Sequence, residues 1–256
     1  MDFGIAGKVA VIAGGSRGCG LAVATSLAME GVQVFLSGRQ AEHVTSAVEA
    51  IRAAGGKAFG VVADMTTVEG VAKIVDGARA EFGEQTILIV NPPSASQKRA
   101  FEEYSDADFQ EASDIWVLTL VRLTRAVLPS MKHEQWGRIV YLGSIGMKVL
   151  HLDDPMYGSN VRVAAAATIK TLAHEYGSYG ITANTIATGP FWSGLAKDYM
   201  EGGGLAEKKM LAQTATKRWG DPKEMGDVVA FLCSKQASFV TGETIRVDSN
   251  YAHSLF

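Results

Sequence analysis

Along this chain, short runs dense in β-branched and other apolar residues alternate with longer stretches whose apolar positions recur every three or four residues. Residues 8–13 (Lys-Val-Ala-Val-Ile-Ala) read as a buried strand, and 18–30 as the helix that follows. Residues 32–37 form the next strand pattern. The helix pattern 42–54 is stopped by Gly55-Gly56, residues suited to the left-handed turn that ends a helix. Strand runs continue at 58–63, 87–90, 139–142 and 182–186, with helical patterns between them at about 68–82, 106–131 and 155–176. Near the C-terminus, Asp221-Pro222-Lys223-Glu224 has the form of a helix start: an acidic cap, proline at the first helical position and glutamate at the third. It opens a helix to Cys233, and residues 243–247 supply a last strand. Continuously apolar strands joined by helices predict a parallel sheet covered on both faces. Right-handed crossovers make that a doubly wound, Rossmann-type α/β fold. No Pro- or Ser-rich linker, charge block or low-complexity stretch interrupts the pattern, so residues 1–256 are expected to form a single domain.

Composition removes several function classes. A formal net charge of −3 lacks the basic excess of a dedicated nucleic-acid binder. Residues 1–8 show no basic region followed by an apolar run, and nothing approaches the roughly 20 apolar residues of a spanning helix. Two cysteines, Cys19 and Cys233, make no disulfide framework, and five scattered histidines suggest no metal site. The expectation is a cytoplasmic protein with no membrane or nucleic-acid partner.

The first strand runs directly into Ala13-Gly14-Gly15-Ser16-Arg17-Gly18-Cys19-Gly20, which becomes a helix. In that position the glycines permit a tight turn, close backbone approach to a pyrophosphate and close packing of helix on strand. The helix N-terminus adds free N–H groups and the positive end of its dipole. The end of the second strand separates the two nicotinamide dinucleotides: NAD binders carry an acid there, NADP binders a nearby arginine. Here it reads Ser37-Gly38-Arg39 with no acid, and Arg17 stands in the glycine loop. Two guanidiniums suit the 2′-phosphate, so NADP(H) is the expected cofactor.

These residues resemble the short-chain dehydrogenase/reductase family over nearly the whole chain. The stretch from Gly14 to Gly20 is similar to that family's Gly-x-x-x-Gly-x-Gly loop, with Ala13 where threonine is usual. Gly137-Arg138-Ile139-Val140 followed by Ser144 matches the strand leading to the catalytic serine, and Tyr157 stands thirteen residues on, at the spacing of the Ser/Tyr pair. Asn184-Thr185-Ile186-Ala187-Thr188-Gly189-Pro190 resembles the segment flanking the nicotinamide. Arg218–Pro222 and Phe239–Gly242 resemble the C-terminal signatures. The resemblance implies Ser144 and Tyr157 as catalytic residues. It implies cofactor contacts from Gly14, Ser16, Arg17, Gly18, Gly20, Arg39, Asp64 (the adenine side), Asn91, Gly189 and Ser193. It also implies a homodimer or homotetramer.

Three expected residues are absent. The family's Tyr-x-x-x-Lys reads Tyr157-Gly158-Ser159-Asn160-Val161, its catalytic asparagine aligns with Trp116, and its Asn-Asn-Ala-Gly segment is Asn91-Pro92-Pro93-Ser94. A lysine four residues after Tyr157 would lie about 40° around the helix, facing the same side, and would lower the phenol pKa from near 10. Valine does not. Arg162 points about 140° away from Tyr157 and Lys170 lies roughly 20 Å along the helix, so both are poor substitutes. Lys148 reads first as a solvated lysine, and Asn160 brings no charge. A protonated phenol serves carbonyl reduction, whereas alcohol oxidation needs the scarce phenolate, so a slow reductase is expected. Met147, Leu150, Leu152 and Met156 precede or flank the tyrosine, and Phe191-Trp192 opens the substrate lid expected at about 190–215. This apolar lining suggests a bulky hydrophobic ketone, although some of these residues equally suit a subunit interface. Two other readings stay open: a non-redox enzyme such as a dehydratase or isomerase, and a catalytically weak NADP(H)-binding partner subunit.

Overall fold

The computed structural model describes residues 2–93, 100–149, 159–192 and 205–255. Strands β1 (Val9–Ala13), β2 (Gln33–Gly38), β3 (Lys57–Val62), β4 (Ile87–Val90), β5 (Gly137–Leu142), β6 (Ile181–Thr188) and β7 (Thr244–Val247) form one sheet. Their order is β3-β2-β1-β4-β5-β6-β7, every pair parallel. The central strands β1, β4 and β5 are buried at every position, which is why β1 and β4 are unbroken apolar runs rather than alternating ones, while β5 interrupts its run with Arg138, whose guanidinium donates to the Gly137, Gly180 and Ser234 carbonyls.

Helices α1 (Gly18–Met29) and α2 (Ala41–Ala53) lie on one face. Val23, Leu27 and Ile51 pack there with Ile12, Val34, Leu36 and Leu142 of the sheet. Helix α3 (Val68–Phe82) lies on the other face, where Ile74 belongs to the same buried cluster as Val11, Leu88, Ile139 and Tyr141. Each fully buried Leu, Ile or Val contributes about 1.5–3 kcal/mol relative to exposure, and these two layers account for the doubly wound arrangement. This is the expected single-domain Rossmann architecture.

The long helix expected at 106–131 is built in three parts. Helix α4 (Asp106–Ser113) starts at Ser105, whose hydroxyl accepts from the Asp108 N–H, and passes into a π turn, 114–118. Helix α5 (Thr119–His133) follows and carries Pro129 inside it. The π turn adds a residue to the coil and swings Trp116 fully into the interior. Helix α6 (Ser159–Tyr176) is described from its fifth expected residue onward; 155–158 lie outside the described residues. After α7 (Leu205–Gln213), α8 (Pro222–Cys233) begins as its sequence predicts. The Asp221 carboxylate accepts from the Lys223 N–H at 2.9 Å, and Glu224 reaches back to the Asp221 N–H at 2.8 Å. No helix among the described residues is long and apolar enough to cross a membrane.

Candidate active site

Strand order reverses between β1 and β4, and the loops leaving their carboxyl ends part to leave a crevice. The glycine loop fills one side of it. Gly14 has φ +83, and a Cβ there would stand 2.1 Å from the Asn91 carbonyl oxygen. Gly20 is as tightly placed: its Cβ would meet the Gly14 oxygen at 2.0 Å. The Asn91 side-chain amide donates to that same oxygen at 2.9 Å, and its backbone N–H donates to Ala13 at 2.9 Å. Asn91 therefore latches β4 to the glycine loop, a positioning role beside its expected cofactor contact.

The loop delivers the α1 N-terminus to the crevice with its donors uncapped. Arg17 is the N-cap, makes no side-chain cap bond, and the first turn carries no acid. Free N–H groups and the helix dipole there suit an anion. Ser16 lies against Gly38, and Arg17 and Arg39 are both exposed, with no ion pair between either and an acid among the described residues. Arg39, Asp64, Thr66, Pro93, Glu111, Asp114 and Ile115 line one cleft of about 400 Å³. Asp64 is held by its own turn, Oδ1 accepting from the Thr66 N–H at 2.9 Å and the Thr66 hydroxyl at 2.8 Å. The far wall is braced by Arg122, which donates to the Thr66 carbonyl at 2.7 Å and to Asp114 at 3.2 Å. Cys19, half-buried in the first turn of α1, has its thiol pushed up to about 11 by burial, so it stays a neutral apolar filler.

Ser144 stands two residues beyond β5 and caps the 3₁₀ turn 145–147, its hydroxyl oxygen accepting from the Gly146 N–H at 3.2 Å. One lone pair is thus occupied while the O–H remains able to donate to a carbonyl oxygen. Met147 folds back, its sulfur accepting from the Ser144 N–H at 3.5 Å. Gly189 is tied to β7 by its N–H to the Val247 carbonyl at 3.0 Å. Tyr157, Leu150, Leu152, Met156 and Ser193 lie outside the described residues, so the Ser/Tyr pair is seen from the serine side alone.

The family model described as enoyl-(acyl carrier protein) reductase matches residues 13–251, spanning the glycine loop, the Ser144 strand and the C-terminal strand together. The chain belongs to the short-chain dehydrogenase/reductase family. It is similar to the 3-oxoacyl-(acyl-carrier-protein) reductase FabG of Pseudomonas aeruginosa, 29% identical over 242 residues covering 94% of this chain and 96% of that one. The 7alpha-hydroxysteroid dehydrogenase of Escherichia coli (strain K12) is 28% identical over 249 residues, 97% and 96% of the two chains. Among solved structures, L-sorbose reductase from Gluconobacter frateurii, complexed with NADPH and L-sorbose, superposes with a TM-score of 0.92 at 30% identity over 100% of both chains.

Within this family fold Trp116 and Val161 come together. Val161 packs against a small cluster of Ala112, Trp116, Tyr104 and Ile115. The Trp116 indole N–H donates to the Pro93 carbonyl at 3.1 Å, and the Arg162 guanidinium lies over its ring at 4.2 Å. Arg162 therefore turns toward the π turn, a placement that its angle from Tyr157 alone did not reveal. Lys148 is exposed, in keeping with a solvated lysine. Truncating Trp116 to alanine should cost about 3–5 kcal/mol of stability, read by denaturant unfolding, because the cavity cannot close and the Pro93 bond is lost. A loss under about 1 kcal/mol would mean the corner repacks freely.

On the other side of the crevice, Phe191 is buried and bridges Gly220, while Trp192 is 44% exposed with its ring edge-to-face on Trp219 at 6.0 Å. The Trp219 indole donates to Glu207 at 2.7 Å. Sequence reasoning passed over Arg122 and gave Pro93 and Trp219 no role of their own, quoting them only within family segments. The family-signature position of Trp219 was a signal for it, whereas Arg122 sits in an ordinary helix pattern that carries none.

Proposed function

We propose that this protein is an NADPH-dependent oxidoreductase that reduces the ketone of a bulky apolar substrate. The observation that carries the reading is the uncapped α1 N-terminus behind the glycine loop, with exposed Arg17 as its N-cap and exposed Arg39 next to Gly38, on which Ser16 packs. A dinucleotide fits the residues present: Gly14 and Gly20 pack so closely on Asn91 and on one another that a Cβ at either would force apart the tight turn an NADP(H) pyrophosphate needs. Gly14, Ser16, Gly18 and Gly20 would hold the pyrophosphate, Arg17 and Arg39 the 2′-phosphate, and Asp64 the adenine side. Asn91, Gly189 and Ser193 would flank the nicotinamide, which when bound supplies the hydride.

Ser144 donates a hydrogen bond to the substrate carbonyl, and Tyr157 gives the proton. With Val161 at the position where the family resemblance implies a lysine, no cation stands there to favour the phenolate. That favours the direction needing a protonated phenol and slows the reaction. Met147, Leu150, Phe191 and Trp192 form the apolar lining of the substrate side. Residues 190–215 serve as the substrate lid, and the Phe191–Gly220 pairing with the Trp192–Trp219 contact supports this by closing the base of the segment. We further infer a cytoplasmic homodimer or homotetramer. The apolar packing of Val161 on Trp116 favours one second reading, a catalytically weak NADP(H)-binding partner subunit.

The deciding experiment measures NADPH oxidation against a panel of bulky apolar ketones, with the unaltered protein and with Val161→Lys. Ketone-dependent turnover that rises about 10-fold or more in the lysine variant supports the reductase. Turnover in neither form, with NADPH still bound, supports the partner-subunit reading instead.

A further inference from the structure

Beyond β7 the chain makes a turn that is built in detail. Asp248 is buried there, and its carboxylate accepts from the Asn250 N–H and the Ala252 N–H, each at 3.0 Å. The Tyr251 N–H returns to the Asp248 carbonyl at 3.1 Å, and the Arg246 guanidinium donates to the Ser254 carbonyl. Ser249, Asn250 and His253 have φ of +52, +55 and +46. Residues other than glycine take that left-handed region uncommonly, and the strain persists only where the surroundings hold them in it. What holds these three is a set of bonds to a distant stretch of chain.

The turn grips both ends of the stretch between β6 and α8. At the near end, the Gly189 N–H donates to the Val247 carbonyl at 3.0 Å, and a Cβ on Gly189 would stand 2.4 Å from the Asp248 Cα. At the far end, just past α7, the Ala215 N–H donates to the Ser249 carbonyl at 2.7 Å. The Thr216 N–H donates to Ser249 Oγ at 3.0 Å, and the two hydroxyls share a further bond at 2.8 Å. The last carbonyls of a helix have no partner within it, and two of those in α7 find one here. His253 Nε2 donates to the Gln213 carbonyl at 3.1 Å, and Lys217, itself left-handed at φ +56, donates to the Ala212 carbonyl at 2.6 Å. Three consecutive residues, Val247, Asp248 and Ser249, thus fix both where the stretch leaves the sheet and where it returns.

We propose that residues 247–254 are a clasp that sets where α7 stands, with Ser249 as its positioning residue. Ser249 acts through Thr216 and the helix before it. Residues 190–215 are the substrate lid on the reductase reading, so on that reading the clasp governs how tightly a ketone is held. A lid that occupies its binding stance for a smaller fraction of the time weakens apparent affinity in the same proportion and leaves the hydride step alone. That consequence rests on the reductase reading; the clasp itself does not.

Ser249→Gly tests it. Glycine adopts a positive φ freely, so the turn keeps its shape and only the hydroxyl is lost. Amide hydrogen exchange over residues 207–216 should quicken about 10-fold, as expected for one lost bond, while β4 and β5 stay protected and the melting temperature holds. Unchanged exchange over 207–216 overturns the clasp. A uniform quickening that reaches β5, with a lower melting temperature, makes the hydroxyl a general stabiliser and overturns it as well. With a ketone that the unaltered protein reduces, the ketone KM should rise about 5-fold or more while kcat and the KM for NADPH stay within about twofold. An unchanged ketone KM, or a fall in kcat alone, removes the positioning role. The exchange measurement needs neither cofactor nor ketone, so a protein that turns over no ketone counts against the reductase reading and leaves the clasp to be decided by exchange.

Discussion

Replacing Ser144 with alanine is expected to lower kcat for ketone reduction about 10²–10³-fold, the range seen when one donor to a developing oxyanion is lost. The KM for NADPH should stay within about twofold, because the interaction removed is made to the substrate oxygen in the transition state. The geometry supports a clean substitution. Ser144 caps a three-residue turn through its oxygen, and the Ser144 N–H to Met147 and the Met147 N–H to the Ser144 carbonyl are independent of the side chain. The loop should therefore keep its shape with the hydroxyl gone. Steady-state kinetics with saturating NADPH checks this, and a variant retaining more than about a third of kcat would remove Ser144 from the chemistry.

Gly20→Ala is expected to weaken NADPH binding about 100-fold or more, since displacing a backbone by an ångström at a preorganised site costs on that order. A Cβ at this position meets the Gly14 carbonyl oxygen at 2.0 Å and the Asn91 amide at 2.6 Å. Neither neighbour is the free end of a flexible chain, so the glycine loop itself must move. It carries the latch between β1 and β4 with it. Gly177→Ala is the matched control, because a Cβ there meets nothing within 4 Å. Fluorescence titration of both variants decides the matter, and equal affinities would mean that the loop does not bear on the cofactor.

Most of the fold was legible in the sequence because its signals are local. Unbroken apolar runs such as Ile87–Val90 mark strands buried on both faces, and Asp221-Pro222-Lys223-Glu224 states its own helix start. The glycine loop was legible for the same reason: its crowding is contained in a few residues and one neighbour, Asn91. The π turn at 114–118 was not, because an added residue in a helix leaves no mark in an apolar repeat. That concealed the burial of Trp116 and its stack with Arg162, a contact between segments far apart in sequence. Arg17 and Arg39 could be named from sequence, and both are exposed, Arg39 on the wall of the cleft shared with Asp64.

The preference between cofactors tests the account most directly. Charge-assisted hydrogen bonds contribute roughly 1.5–3 kcal/mol each, so even with both arginines exposed and screened, NADPH should bind at least about 10-fold more tightly than NADH. Parallel fluorescence titrations of the unaltered protein with NADPH and NADH measure it. Tighter binding of NADPH by that margin is the predicted result; equal affinity, a preference for NADH, or no binding of either contradicts the central claim.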